Sequence, residues 1–204
     1  MWIFMDPVNL FAGINIIATF IAQAKESKNQ LKLTVTNTVN KPSSFLQKWP
    51  LNIAAIILLF SILGVFNILN LSQEEFSQIT NIHYDSVRLA GLVLFLVFSW
   101  GQIKSFKTLG KNYSQEVVII KNQELVTTGI YKNIRHPQYL CQILADLGLG
   151  LALISYVIVP LVILVEIPLL LMRARFEEKL LEKHFKEKYT DYKKESGFFL
   201  PFIG

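Results

Sequence analysis

Long apolar stretches separated by short polar segments dominate the pattern of this 204-residue chain. A helix that crosses the hydrocarbon layer of a bilayer needs roughly 20 mostly apolar residues. Five stretches approach that length and predict membrane helices, at residues 8–24, 49–71, 86–103, 139–155 and 156–172. The last two form a run too long for one crossing, so we predict a tight helical hairpin near Ser155 and Tyr156. The predicted fold class is an all-α integral membrane protein with five transmembrane helices.

Basic residues are concentrated on alternate connecting segments. Residues 25–48, 104–135 and the tail from Arg173 carry five, six and eight Lys or Arg residues, whereas 73–85 and the hairpin turn carry none. Cytoplasmic segments of membrane proteins are enriched in Lys and Arg. We therefore predict an N-terminus outside and a C-terminus in the cytoplasm, with Arg88 as the one basic residue on the outer side. Basic segments that lie against anionic lipid then account for the net charge of +5, and we predict no nucleic-acid partner.

Composition agrees with this interpretation. Hydrophobic residues make up 52% of the chain and charged residues 17%, below the roughly 25% of soluble domains. A single cysteine, Cys141, excludes an intrachain disulfide. Three histidines on well-separated segments predict no metal site, and His184, on the apolar face of a helical pattern, is interpreted as a packed residue. Dinucleotide-binding, P-loop and serine-hydrolase motifs are absent from the sequence.

We divide the chain into a region of three membrane helices, 1–103, and a catalytic region, 104–204. Within 104–136, the segment EVVII predicts an extended strand or a stretch lying on the bilayer, and Gly129 predicts a turn. The sequence NIRHPQYL follows. A proline disfavours the α conformation in the preceding residue and is favoured at the first position of a helix. We therefore expect an extended His136, with Pro137 opening the fourth helix.

The C-terminal segment RARFEEKLLEKHFKEKYTDYKK has apolar residues at helical spacing and predicts an amphipathic helix that ends before Gly197 and Pro201. Arg173 and Glu177 share one face of it, because residues four apart in a helix are neighbours. Taken alone, they are a surface ion pair. Asp146 and Glu166 lie inside predicted membrane helices, where charge is costly. A structural role and a role in a substrate cavity stay equally open for these two.

Three blocks together carry a family resemblance. LVTTGIYKNIRHPQY, then a helical hairpin, then RARFEEKLLEKHFKEKYTDYKK and LPFI resemble the isoprenylcysteine carboxyl methyltransferases, which are related to the membrane phospholipid methyltransferases. The likeness covers about residues 121–203 and indicates a compact member of prokaryotic type. It implies transfer of a methyl group from S-adenosylmethionine, giving S-adenosylhomocysteine, to a lipidic acceptor such as a C-terminal isoprenylcysteine. It also implies a multi-pass protein of the cell membrane in a prokaryote, or of the endoplasmic reticulum in a eukaryote.

The resemblance also assigns roles to individual residues. It implies a cytoplasmic cofactor pocket formed by the segment before the fourth helix and by the C-terminal helix. Arg173 would bind the substrate carboxylate and orient one of its oxygens for catalysis. At position 123, where many relatives carry histidine, this chain carries glutamine. The residues implied to contact the cofactor are Gln123, Leu125, Val126, Tyr131, His136, Pro137, Tyr139 and Glu177.

Other functions stay open at this point. A phospholipid or other lipid amine is an alternative methyl acceptor, although Arg173 favours an acidic one. An NADPH-dependent sterol or lipid reductase is a second alternative, because such enzymes carry a block similar to RHPxY; they usually have about twice as many spans. A non-catalytic scaffold or a transporter is a third, but five spans without an internal repeat are not typical of a transporter.

Overall fold

The structure, a computed structural model, describes residues 6–201 and 203, with side chains outside 25–37 and 40. Its described part is mostly helical. The α-helices are α1 (Pro7–Asn37), α2 (Trp49–Val65), α3 (Gln73–Thr80), α4 (Tyr84–Leu109), α5 (Pro137–Ala152), α6 (Ile158–Leu161), α7 (Ile167–Phe185) and α8 (Glu187–Glu195). Short 3-10 helices lie at Phe45–Gln47, Gly110–Asn112 and Gly129–Lys132. Two short strands, β1 (Thr38–Asn40) and β2 (Ile119–Ile120), pair antiparallel.

Three helical segments are long and apolar enough to cross a membrane: Pro7–Ala24, Phe45–Val65 and Tyr84–Asn112. They coincide with the first three predicted spans. Large apolar side chains on them face outward, among them Phe11, Ile17, Ile21, Leu59 and Val97, each more than half exposed. Such surfaces suit contact with lipid tails rather than water. The integral membrane character predicted from the sequence therefore holds.

The fourth and fifth predicted spans form the expected hairpin, with differences in detail. α5 has 16 residues and is about 24 Å long, shorter than the hydrocarbon layer. Its chain turns at Ile154, which has a φ of 47°, and helical structure resumes at Ile158 rather than Tyr156. The second arm contains a π-helical turn, Val162–Glu166, just before Pro168. Proline has no N–H to donate, and its ring clashes with the carbonyl group one turn earlier in the helix. This explains the widened turn there.

Close packing of α4 against α5 centres on two glycines. A Cβ placed on Gly91 would lie 2.5 Å from the Ala152 nitrogen, and one placed on Gly148 would lie 2.6 Å from the Phe95 nitrogen. Neither position has room for a side chain, so the two backbones are in direct contact. This contact fixes the position of α5, and therefore of the polar residues along it, inside the bundle.

The predicted outer side contains a buried ion pair. Arg88 Nη1 lies 2.6 Å from Asp6 Oδ2, Arg88 Nη2 donates to Asn9 Oδ1 at 2.8 Å, and Arg88 Nε donates to the Ala152 carbonyl at 3.0 Å. The pKa of Asp6, at the start of α1, is lowered chiefly by its hydrogen bond to Arg88. The basic residue that departs from the charge pattern therefore joins α1, α4 and the end of α5. Residues 73–80, within the connecting segment that carries no basic residue, form α3, which begins with a capping box between Ser72 and Glu75.

The predicted cytoplasmic segments form compact structure. EVVII contributes β2, so the extended alternative is correct, and the β1–β2 pair is a small exception to the all-α prediction. Gly129 has a φ of 61°, as a glycine turn requires, and Pro137 opens α5. The predicted single C-terminal helix is wrong, because Lys186 adopts a φ of 50° and separates α7 from α8. This break turns Tyr189 and Tyr192 inward against the segment that precedes α5.

Candidate active site

Tyr139 lies at the centre of the candidate site, in the first turn of α5. Its hydroxyl accepts a hydrogen bond from Arg173 Nε at 3.0 Å and donates one to Glu177 Oε2 at 2.8 Å. Arg173 and Glu177 are one turn apart on α7, and both reach the same hydroxyl because α5 and α7 are adjacent here. The sequence predicted that these two share a face, and the tertiary structure adds the phenol that joins them.

Arg173 is almost fully enclosed. Besides its bond to Tyr139, the guanidinium donates through Nη1 to the carbonyls of Leu46 and Gln47, at 3.0 and 3.4 Å, and through Nη2 to the carbonyl of Gln115. A guanidinium has five N–H groups. Four of them therefore donate to described residues, and one N–H on Nη2 is left for a further acceptor.

A cleft lies between the segment before α5 and the C-terminal helices, on the side predicted to be cytoplasmic. Seven of the eight residues predicted to contact a cofactor line it: Gln123, Leu125, Val126, Tyr131, His136, Tyr139 and Glu177. Pro137 is buried as the first residue of α5 and does not line the cleft. The cleft encloses about 80 Å³, against 300–1,000 Å³ for typical ligand sites, so a nucleoside-sized ligand requires its walls to part.

One wall of the cleft offers unpaired polar groups. The backbone N–H and C=O groups of Leu125 and Val126 have no hydrogen-bond partner among the described residues. Glu177 is partly exposed there, and no described group donates to its Oε1. A strip of unpaired backbone suits the edge of a heterocyclic base, and a carboxylate suits a cationic or hydroxyl-bearing ligand. These groups therefore fit a nucleoside that carries a positive charge.

His136 lies deeper in the wall than the sequence suggested. Its ring stacks on Tyr139 at 5.7 Å between centroids and contacts the ring of Phe198 at 4.9 Å. Nε2 lies 3.4 Å from Glu178 Oε1, outside good hydrogen-bond geometry, and Nδ1 lies 4.0 Å from Glu177 Oε2. The side chain is only 4% exposed. His136 therefore contributes a ring edge to the cleft and mainly supports Tyr139.

Arg135 and Glu178 hold the C-terminal segment against the start of α5. Arg135 Nε donates to Glu178 Oε1 at 2.6 Å, and Nη1 donates to the carbonyls of Lys193 and Ser196. Burial raises the pKa of Glu178, but the nearby His136 ring and the hydrogen bond and positive charge of Arg135 outweigh burial and lower the pKa from 4.5 to about 2. The chain after α8 is thereby fixed to the residue that precedes His136.

The tyrosines around the cleft remain neutral near pH 7. Burial and the negative charge of Glu177, partly opposed by Arg173, raise the pKa of Tyr113 to about 12. Burial also raises the pKa of Tyr131 well above its ordinary value of 10, and that of Tyr192 to about 12. These phenols are hydrogen-bonding and aromatic wall groups rather than general bases, which operate best with a pKa near the working pH.

A second, larger cavity of about 400 Å³ lies among α1, α2, α4, α5 and α7. Apolar side chains such as Phe20, Leu58 and Phe95 line part of it, and polar side chains, Arg173 among them, line the rest. Tyr113, Gln138 and Tyr139 line both this cavity and the cleft. The two spaces therefore adjoin at Tyr139.

Sequence reasoning missed three residues of the site. Tyr113 and Gln138 separate the two spaces, and Glu178 fixes Arg135. Gln138 was detectable in principle, because it lies between His136 and Tyr139 in the quoted motif. Tyr113 belongs to no motif, and Glu178 could be distinguished from Glu177 only by knowing which face of α7 meets Arg135.

Comparison with known proteins places these features in a family. A family model described as phospholipid methyltransferase matches residues 87–188. The chain is 31% identical over 115 residues to the protein-S-isoprenylcysteine O-methyltransferase of Saccharomyces cerevisiae, covering 55% of this chain and 48% of that protein. It is 32% identical over 98 residues to the Tribolium castaneum protein of the same name, covering 47% and 35%.

A solved structure shares the fold. It is the eukaryotic intramembrane Ras methyltransferase ICMT, an isoprenylcysteine carboxyl methyltransferase, with a TM-score of 0.64 and 22% identity over 98% of this chain and 70% of that one. This chain spans about half or less of the length of the two curated relatives. The resemblance recognised from the motifs is confirmed, and since the family model matches half of its residues, the chain belongs to the phospholipid methyltransferase family.

Proposed function

We propose that the protein is an integral membrane methyltransferase that transfers a methyl group from S-adenosylmethionine to the carboxylate of a lipidic acceptor, such as a C-terminal isoprenylcysteine. One observation carries the proposal: Tyr139 belongs to both the cytoplasmic cleft and the cavity among the membrane helices, and its hydroxyl joins Glu177 on the cleft side to Arg173 on the cavity side. A water-soluble methyl donor and a lipidic acceptor have to meet at such a boundary.

The cleft is the proposed cofactor site. When bound, S-adenosylmethionine supplies an electrophilic methyl group, so that a carboxylate oxygen gains an O–CH₃ bond as the C–S bond breaks. The unpaired backbone of Leu125 and Val126 would bind the adenine, and Glu177 would bind the ribose or the amino acid part. Tyr131 and Tyr139 supply aromatic rings that favour a nearby cationic sulfonium, and His136 supports the ring of Tyr139. Gln123 lines the entrance, and Pro137 acts by starting α5.

The cavity with Arg173 is the proposed acceptor site. A carboxylate with a pKa near 3.5 is already ionised at pH 7, so its methylation needs no strong base. The protein has to bring an oxygen behind the methyl carbon, which is a matter of proximity and orientation. The remaining N–H on Arg173 Nη2 allows one contact to the acceptor, which would orient one carboxylate oxygen and leave the other free to react.

Five spans with the N-terminus outside and the C-terminus in the cytoplasm are also part of this proposal. The distribution of Lys and Arg supports it, and it places the cleft in the cytoplasm, where the cofactor is found. The membrane would be the cell membrane in a prokaryote and the endoplasmic reticulum in a eukaryote. Membrane lipid and a prenylated or other lipidic acceptor are the proposed partners.

A lipid amine is the second candidate acceptor. Four of the five N–H groups of Arg173 already have acceptors, so only one N–H group is left to bind a substrate carboxylate. A neutral amine nucleophile needs no cationic partner at all. The family model that matches the chain is described as phospholipid methyltransferase, which is consistent with this acceptor. The same match supports a methyltransferase rather than a hydride-transferring reductase.

A transfer assay with labelled S-adenosylmethionine tests the proposal. Purified protein in lipid nanodiscs is given prenylcysteines, a prenylcysteine methyl ester and aminophospholipids as separate acceptors. Label transferred to prenylcysteine and not to its ester supports the carboxylate assignment, whereas label on the aminophospholipid supports the second candidate. Calorimetry that detects NADPH binding and no binding of S-adenosylmethionine or S-adenosylhomocysteine would refute methyl transfer altogether.

A further inference from the structure

The guanidinium of Arg173 is held by the backbones of two connecting segments. Its Nη1 donates to the carbonyls of Leu46 and Gln47 at 3.0 and 3.4 Å, and its Nη2 donates to the carbonyl of Gln115. We call these three carbonyls the carbonyl frame. Two of them belong to the connection between α1 and α2, and the third belongs to the connection between α4 and α5. The orientation of the guanidinium therefore depends on how these two connections are placed relative to each other.

The side chain of Gln47 fastens the two connections together. Its Nε2 donates to the Val117 carbonyl at 2.8 Å and to the Pro42 carbonyl at 3.2 Å, and its Oε1 accepts from the Val117 N–H at 2.9 Å. The amide therefore pairs with both backbone groups of Val117, as a residue of a neighbouring antiparallel strand would. Gln47 and Val117 are 6% and 4% exposed, so water has little access to these bonds.

Other contacts between the same connections lack this link to Arg173. The strands β1 and β2 pair through their backbones, and Lys41 Nζ lies 2.7 Å from Glu116 Oε2. The side chains of Lys41 and Glu116 are 54% and 40% exposed, and exposed ion pairs contribute little to stability. Gln47 differs from both contacts, because it joins the connections through a buried side chain and also supplies a carbonyl to the frame.

The carbonyl frame limits how Arg173 can bind a carboxylate. A guanidinium that presents Nη1 and Nη2 together binds both oxygens of a carboxylate. Here Nη1 donates to backbone carbonyls, and one N–H on Nη2 is left for another acceptor. A carboxylate loses its negative charge as one of its oxygens bonds to the methyl carbon. A contact with both oxygens would therefore stabilise the bound acceptor more than the transition state, and it would slow the transfer.

We propose that Gln47 is a positioning residue whose amide holds the carbonyl frame and thereby keeps Arg173 to a single contact with the acceptor carboxylate. This inference rests on the proposed function and deepens it. It assigns a role in the reaction to the chain just before α2, outside the region 104–204 that the sequence predicted to be catalytic. When the frame is released, both terminal nitrogens of Arg173 become available, so the acceptor binds more tightly and reacts more slowly.

Gln47→Met tests this role, because methionine has a similar length and removes all three bonds of the amide. S-farnesylcysteine is the probe, and its affinity is measured in nanodiscs in the presence of S-adenosylhomocysteine. We expect its dissociation constant to fall by about tenfold, and kcat for methyl transfer to fall by about tenfold or more. The affinity for S-adenosylhomocysteine should not change. Loss of a purely structural contact would instead weaken acceptor binding or leave both values unchanged.

Two further variants complete the test. Asn9→Leu is the matched control, because it removes a buried amide that donates to the Val65 carbonyl and to Asn67 Oδ1. It should lower the midpoint of thermal unfolding without changing kcat or acceptor affinity. In Gln47→Asn the amide is one methylene closer to the backbone and cannot keep all three bonds. This variant should show both changes to a smaller extent, and it decides if Gln47→Met does not fold.

The two proposals fail in different ways. Weaker acceptor binding, or an unchanged kcat and affinity, in a folded Gln47 variant overturns the positioning role and leaves methyl transfer to a carboxylate standing. Wild-type protein that binds no S-adenosylmethionine, or that methylates an aminophospholipid and not a prenylcysteine, overturns the proposed function before any variant is compared.

Discussion

The hydroxyl of Tyr139 donates a hydrogen bond to Glu177 over 2.8 Å, and this contact lies where the cleft beside the C-terminal helices meets the cavity among the membrane helices. The same hydroxyl accepts from Arg173, so a change on one side of Tyr139 alters the hydrogen bonding on the other. The proposed cofactor and acceptor sites are therefore coupled through one side chain.

Tyr139→Phe should lower the rate of methyl transfer by about 10- to 100-fold, because it leaves Arg173 and Glu177 each without a charge-assisted hydrogen bond. Binding of S-adenosylhomocysteine should weaken much less, since the aromatic ring remains. The transfer assay and calorimetry measure the two effects. Tyr84→Phe, at the first residue of α4, is the matched control, and an unchanged rate in Tyr139→Phe would show that the hydroxyl has no part in transfer.

Arg173→Ala should abolish transfer to a prenylcysteine and spare cofactor binding. Because Arg173 also binds the carbonyls of Leu46, Gln47 and Gln115, truncation should lower the free energy of unfolding by about 3 kcal/mol as well. Arg173→Lys keeps the charge but lacks the planar set of donors, so it should still lose at least about tenfold in kcat/KM. Arg175→Lys, on an exposed position of the same helix, is the control. Normal turnover by both Arg173 variants would show that Arg173 does not bind the substrate.

Glu177→Gln should weaken the binding of S-adenosylmethionine and S-adenosylhomocysteine by about tenfold, because the carboxylate in the cleft becomes a neutral amide. The hydrogen bond from Tyr139 can be kept by the amide oxygen, so the fold should not change. Titration calorimetry gives the two affinities. Glu182→Gln, exposed on α7, should bind both ligands as the wild type does, and the same result for Glu177→Gln would contradict the cofactor role.

Protonation of the Glu178 carboxylate should destabilise the folded protein in acid. Its pKa is lowered from 4.5 to about 2 in the folded protein, so its contribution to stability is complete above pH 4.5 and is lost as the pH falls towards 2. The contribution is on the order of 2 kcal/mol after allowance for solvent screening. Thermal unfolding in detergent between pH 2 and 5 should show this loss. In Glu178→Gln the midpoint should be lower at pH 5 and should depend less on pH; a wild-type profile would argue against the contact with Arg135.

Arg88→Gln should destabilise the protein by about 2–3 kcal/mol, because it leaves the partly buried Asp6 carboxylate without its cation and breaks the link to α5. Cofactor affinity should be unchanged, since the pair lies at the opposite end of the bundle from the cleft. Chemical unfolding and calorimetry measure the two properties. Asp85→Asn, an exposed acidic residue on the same helix, should leave stability unchanged, and equal stability of Arg88→Gln would show that the ion pair is dispensable.

Local rules of sequence account for much of the fold. Apolar length predicted the first three spans, Pro137 predicted the start of α5, and Gly129 predicted a turn, because each depends on neighbouring residues alone. The break at Lys186 was not predicted, since lysine is an ordinary helix residue and only the packing of Tyr189 and Tyr192 makes its positive φ favourable. The helix at 73–80 was missed although Ser72 and Glu75 carry its start signal.

The sequence by itself determined that the chain is a membrane protein, which family it resembles and which residues crowd around one cleft. These properties follow from composition, charge and short motifs. Only the tertiary structure decided that Tyr139 joins Arg173 to Glu177, that Arg173 has a single N–H left for another acceptor, and that Asp146 lines the cavity while Glu166 is buried and bound by Gln142. Each of these depends on how α5 meets α7, a contact between segments far apart in the chain that no local pattern encodes.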